Sequence, residues 1–123
     1  MNKHACFDGD LAQLEATLRR GDMERARLEL ATFDLQLGGY VRGEERVVFP
    51  ALERRSPPLR GAISMMRREH EGLRSVVASL WEALDRGDVH RGVQLLEDLR
   101  SVLVLHIVKE DWVFSAETLE PEA

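Results

Sequence analysis

The chain predicts an all-α fold, an antiparallel up-down-up-down four-helix bundle, on three observations. Its breakers fall at Arg20-Gly21-Asp22, Ser56-Pro57-Pro58 and Arg86-Gly87-Asp88, which divides it into four long segments. Each segment carries apolar residues at spacings of three and four, the period of a helix that buries one face. Its polar residues also repeat at a fixed offset of 66: His4 matches His70, Tyr40 matches His106, Glu44 matches Glu110, and the Arg20-Gly21-Asp22 turn matches Arg86-Gly87-Asp88.

The first helix is expected near residues 2 to 20, with a stripe of Phe7, Leu11, Leu14 and Leu18 that His4 extends by one turn. The second, near 22 to 55, has Asp22 as its candidate N-cap. Its stripe runs through Ala26, Leu30, Phe33 and Leu37 and continues in phase to Tyr40, Glu44 and Val47. Gly38-Gly39 falls inside it. Each glycine there costs up to ~1 kcal/mol relative to alanine, which suggests room for a side chain, a channel, or a local distortion near the polar layer. The third helix, near 58 to 86 behind Ser56, carries Ile63, Met66, His70, Leu73, Val77, Leu80 and Leu84. The fourth, near 88 to 118 behind Asp88, carries Leu96, Leu99, Leu103, His106, Glu110 and Val113.

With 123 residues the chain is long enough for one compact domain, taken as residues 1 to 123. Lys and Arg number 17 against 22 Asp and Glu, so the net charge of −5 is spread over mixed signs and no basic patch invites nucleic acid. No apolar run approaches the roughly 18 to 20 residues of a membrane span. The single cysteine, Cys6, cannot form an internal disulfide. These features lead to the expectation of a cytoplasmic protein without membrane or nucleic-acid partners.

His4 lies 17 residues before Gly21 and Tyr40 lies 19 after it; His70 and His106 stand in the same relation to Gly87. At ~1.5 Å per residue, short turns would bring all four to one height in the bundle, with Glu44 and Glu110 one turn further along. Alone, a His-x-x-x-Glu is usually a surface i,i+4 pair worth a few tenths of a kcal/mol. A layer of three imidazoles and two carboxylates on core faces is different, because each unpaired buried charge costs several kcal/mol. A multivalent cation offsets that cost, so the layer is read as a metal site. Imidazole with carboxylate suits iron, zinc, manganese or copper, and the lack of a cysteine cluster argues against structural zinc or an iron–sulfur centre. Two carboxylates between several imidazoles would suit a pair of cations bridged by Glu44 and Glu110.

The ordered set of His4 with Phe7 and Leu11, then Glu44-Glu45-Arg46-Val47-Val48-Phe49-Pro50-Ala51-Leu52-Glu53, then Glu69-His70, then His106-Ile107-Val108-Lys109-Glu110-Asp111, resembles a hemerythrin-like (HHE cation-binding) domain across nearly the whole chain. The resemblance implies a four-helix bundle holding non-haem di-iron, oxo- or hydroxo-bridged, with zinc or manganese as alternatives. It also implies His4, Glu44, His70, His106 and Glu110 as ligands. Tyr40 departs from the pattern, standing where the family has its second-helix histidine, as a tyrosinate ligand, as a group hydrogen-bonded to a ligand, or as the mark of a weakened metal position.

The implied role is to bind, sense or process a small oxidant or gas such as dioxygen, nitric oxide or peroxide, with no separate nucleophile or base in the layer. Whether that amounts to an enzyme is left open. Oxygen carriage, iron storage and a purely structural metal are the alternatives, and an anionic Tyr40 would count against carriage by stabilising iron(III). Relatives that repair iron centres carry an added cysteine-bearing N-terminal segment, so that role is not expected here. Met65 and Met66 are read as core filler, Cys6 as facing away from the layer, and His90 as solvated. Trp81, Trp112, Val41, Val48 and Ile107 are the candidates for a dimer surface, and the chain is expected to be a monomer or weak homodimer.

Overall fold

The computed structural model describes the backbone of residues 3–119 and the side chains of residues 6–115. Helix α1 spans Lys3–Arg19 and α2 spans Met23–Gly43. A π-helical turn at Glu44–Val48 leads directly into α3, Phe49–Arg55, so α2, the π turn and α3 form one interrupted bundle helix. A 3-10 turn at Pro57–Leu59 precedes α4, Arg60–Asp85, and α5 spans Val89–Leu119. No strand occurs among the described residues.

The two Gly turns close in the same way. Gly21 and Gly87 have φ of 76° and 68°, a left-handed conformation that glycine adopts without steric cost. Asp22 N–H bonds Thr17 O at 3.3 Å and Gly21 N–H bonds Leu18 O at 2.9 Å; Asp88 and Gly87 repeat this on Ala83 and Leu84. These paired bonds satisfy carbonyls that a helix end leaves open. Asp22 and Asp88 then each accept a bond from a backbone N–H three residues on, at 3.2 and 3.0 Å, and cap the next helix. Ser56 makes no such cap, and the 3-10 turn takes up the chain there instead.

Cross-helix contacts show neighbours running in opposite senses. Phe7, near the start of α1, packs edge-on to Phe33 and Tyr40 late in α2. Asp34 and Glu53, in that order along the second bundle helix, pair with Trp81 and Arg67 of α4 in reverse order. Arg100 on α5 reaches back to Asp8 on α1.

The stripes of α1, α4 and α5 are buried as their periodicity requires. The second helix departs from its stripe. Val47 is 67% exposed, and Phe49, two residues on, is fully buried. Pro50 explains the change: it has no N–H to give, and its ring would collide with the Arg46 carbonyl in a regular helix. The chain widens one turn, Phe49 N–H bonding Glu44 O five residues back, and the buried face slips by one residue. Gly38 and Gly39, read as room for a side chain, a channel or a local distortion, lie in regular helix, so the distortion is not there. A Cβ on Gly39 would meet nothing, and one on Gly38 would meet only the flexible end of Arg42.

Other surface expectations also change. Met66 is core but Met65 is half exposed. Val41 and Ile107 are buried, and Trp81 donates its indole N–H to Asp34 at 3.1 Å, so these three serve the interior of this chain. Cys6, His90, Val48 and Trp112 are exposed. No helix among the described residues is long and apolar enough to cross a membrane.

The core divides in two. A large cluster runs from Phe7 through Leu80 and Leu96 to Ile107, and a smaller one joins Phe49, Leu52, Ile63, Met66 and Val113. Between them lies a layer of buried polar residues.

Candidate metal centre

The polar layer takes four residues from three bundle helices. Glu44 opens the π turn, His70 sits at mid-length on α4, and His106 and Glu110 lie one turn apart on α5. All four are buried, none more than 4% exposed, and ligand atoms from the four lie within 4.8 Å of one another. Their faces were legible from helical spacing, and apolar clusters above and below exclude water from them.

His70 Nε2 is 2.9 Å from Glu44 Oε1 and 3.0 Å from His106 Nε2. His106 Nε2 is in turn 2.7 Å from Glu110 Oε1 and 3.6 Å from Glu44 Oε1. One oxygen of Glu44 thus faces both imidazoles. Phe49, carried inward by the π turn, stacks on His70 with ring centres 5.4 Å apart and planes 17° from parallel.

The outward nitrogens are held as well. His70 Nδ1 lies 2.9 Å from Glu45 Oε2, and His106 Nδ1 lies 2.9 Å from Glu69 Oε1. Arg74 at 3.0 Å secures Glu45, and Lys109 secures Glu69. A carboxylate on Nδ1 selects the tautomer that protonates that nitrogen and turns the Nε2 lone pair into the layer. Consecutive residues Glu44 and Glu45 grip the two sides of one ring, which the smaller angular step of a π turn permits. The sequence reading missed Glu45 and Glu69 as site residues. Their adjacency to Glu44 and His70 was the available signal.

Tyr40 is half buried in the same layer, and its hydroxyl donates to both oxygens of Glu110. Burial first, and the Glu110 carboxylate next, raise its pKa far above the ordinary phenol value, so the group remains a neutral donor. The side chain of His4 lies outside the described residues, and its place relative to the layer is not assigned.

Charge in the layer is distributed unevenly. Burial would raise Glu44, but hydrogen bonds with His106 and His70 outweigh it and hold the carboxyl down at about 2. Burial opposes charge on His106 too, yet Glu110, Glu44 and Glu69 push it up to about 10. Glu110 yields to burial and to the Glu44 charge and is pushed up to about 7. Protons on His106 and Glu110 therefore supply positive compensation that a divalent cation could supply through the same atoms. The donor set fits one.

The consequence for the metal-free chain is testable. His106, with its pKa raised, contributes stability that is full below its unfolded value near 6.5 and is lost as pH rises through about 10. Glu110 adds a loss in the same direction as pH rises through about 7, whereas Glu44 loses its contribution only as pH falls toward about 2. Thermal denaturation of metal-free protein should show falling stability from neutral to alkaline pH, and cation uptake at neutral pH should release protons. A flat alkaline profile with no proton release would contradict this charge distribution.

Comparison with known proteins adds one finding. The family model described as "Hemerythrin HHE cation binding domain" matches residues 1–116. No curated protein and no solved structure gives a significant match to the chain.

Proposed function

The chain belongs to the hemerythrin HHE cation-binding domain family, and from that premise we propose that it is a non-haem di-iron protein that binds, senses or processes a small oxidant or gas. One observation carries the reading: two buried imidazoles, each locked by a carboxylate on Nδ1, present Nε2 to two buried carboxylates within 4.8 Å. His70, His106, Glu44 and Glu110 would hold iron, with His4 completing the set on the resemblance. Glu44 and Glu110 would bridge a pair of cations, as the resemblance implies.

Iron held there would supply a polarising and redox-active centre for dioxygen, nitric oxide or peroxide. The protein's own part is binding and exclusion. Apolar layers on both sides keep water from the cluster and strengthen each electrostatic contact in it. Tyr40 keeps its proton on the hydroxyl and directs it to Glu110, which moderates the charge of that carboxylate. No separate nucleophile or general base stands in the described layer, which favours a binding or sensing role over group transfer.

Reversible oxygen carriage is the second reading, and Tyr40 is the observation that keeps it. A phenol hydrogen-bonded to Glu110 adds no anionic ligand and so does not disfavour a di-iron(II) state. Metal analysis of protein produced in iron-replete medium, with optical spectra before and after reduction and after exposure to nitric oxide or peroxide, tests the proposal. Iron in excess of one ion per chain and a spectrum that responds to the small molecule are expected. Zinc alone, or iron whose spectrum ignores reduction and ligand alike, would overturn it.

A further inference from the structure

The two carboxylates on the outer side of the imidazoles form matched chains of hydrogen bonds. Arg74 on α4 holds Glu45 of the π turn, which holds His70; Lys109 on α5 holds Glu69 on α4, which holds His106. Neither His70 nor His106 can rotate without breaking a charged contact on Nδ1 and another on Nε2, and Phe49 stacks against the face of His70.

The repeat carries only part of this device to the other half of the layer. At the offset of 66, His106 corresponds to Tyr40 and Glu69 to Lys3, whereas His70 corresponds to His4 and Glu45 to Asp111. A lysine has donors but no acceptor, so it cannot replace a carboxylate on a ring N–H. The position that holds Tyr40 in place of an imidazole therefore also lacks an orienting acid, while an acid stands at the position matching Glu45.

We propose that Glu45 and Glu69 are positioning residues that make the His70–His106 half of the layer the higher-affinity cation position. A first divalent cation seats there, and a second binds more weakly at the half that holds Tyr40. Rings already aimed inward reduce the reorganisation needed for the first cation, and the negative charge on Nδ1 strengthens each imidazole as a donor. This inference rests on the metal-binding reading above.

The test uses the full metal-free chain titrated with zinc, a redox-silent probe, by calorimetry and by competition with a chelator. Wild type should show two unequal steps. Glu45→Gln and Glu69→Gln should each weaken the first step by about 10- to 100-fold, the range typical of lost partners to metal-bound histidine, and leave the second unaffected. Glu53→Gln removes another carboxylate between helices, bound to Arg67 at 2.7 Å rather than to either ring nitrogen, and should leave both steps intact. Nitrogen NMR of metal-free protein adds a readout that loss of packing alone would not produce: a reduced Nδ1–H population at His70 in Glu45→Gln. Cation binding by wild type with an unchanged first step in both glutamate variants overturns this inference alone. Equal weakening of both steps, or an equal effect of Glu53→Gln, overturns it as well. A wild type that takes up no cation rejects the metal reading and this inference with it.

Discussion

Glu44→Ala and Glu110→Ala should each lower metal content by at least one ion per chain and remove most of the stability that metal loading adds. Glu44 should be the more damaging loss, because its Oε1 faces both His70 and His106 and its carboxyl is the one held ionised. In metal-free protein, deleting one partner of a buried hydrogen bond costs about 1–3 kcal/mol. Relief of repulsion between Glu44 and Glu110 partly offsets that cost in either variant. In loaded protein the loss is larger, since a ligand at 1,000 times its dissociation constant contributes ~4 kcal/mol to the folded state. Metal analysis with paired melting curves, metal-free and loaded, separates the two effects. Unchanged stoichiometry in both variants would reject Glu44 and Glu110 as bridging ligands.

Tyr40 has the other large expected effect. Because its hydroxyl donates to Glu110, Tyr40→Phe should retain bound iron and the visible spectrum while lowering the reduction potential, as Glu110 becomes the stronger donor once its hydrogen bond is gone. The metal-free variant should lose about 1.5–3 kcal/mol, the scale of a hydrogen bond to a charged group. Tyr40→His should place an imidazole where the family pattern has one and tighten the weaker cation position. A visible charge-transfer band in wild type that disappears in Tyr40→Phe would instead establish a tyrosinate ligand. It would also restore the argument against oxygen carriage.

Much of this molecule could be read in one dimension. Spacings of three and four residues sent Glu44, His70, His106 and Glu110 to core faces, and in the structure all four are buried. Gly21 and Gly87 were legible as helix stops because only a left-handed residue closes such a turn cheaply. Counting from those turns was enough to bring residues from separate helices to one height, because short turns leave antiparallel neighbours little freedom to slide.

What escaped the sequence reading depends on contacts between helices or on a choice among backbone responses. Val41 and Ile107 were assigned to a surface although both are buried, since the width of a buried face depends on how many neighbours a helix has. Glu45 and Glu69 lie at partly exposed positions whose spacing signals nothing; their role follows from imidazoles 25 and 37 residues away that packing brings within 2.9 Å.

Helical periodicity alone thus determined the helices, their turns and four of the six proposed ligand positions, while the side chain of His4 lies outside the described residues and Tyr40 was left open between ligand and neighbour. Only the tertiary structure decided how Pro50 is accommodated. A proline can kink a helix, end it, or widen the turn before it, and the sequence favours none of these by itself. Here the widened turn buries Phe49 against His70, exposes Val47, and brings Glu44 and Glu45 to one ring, because that arrangement satisfies the packing of α4 and the hydrogen bonds of the imidazole together.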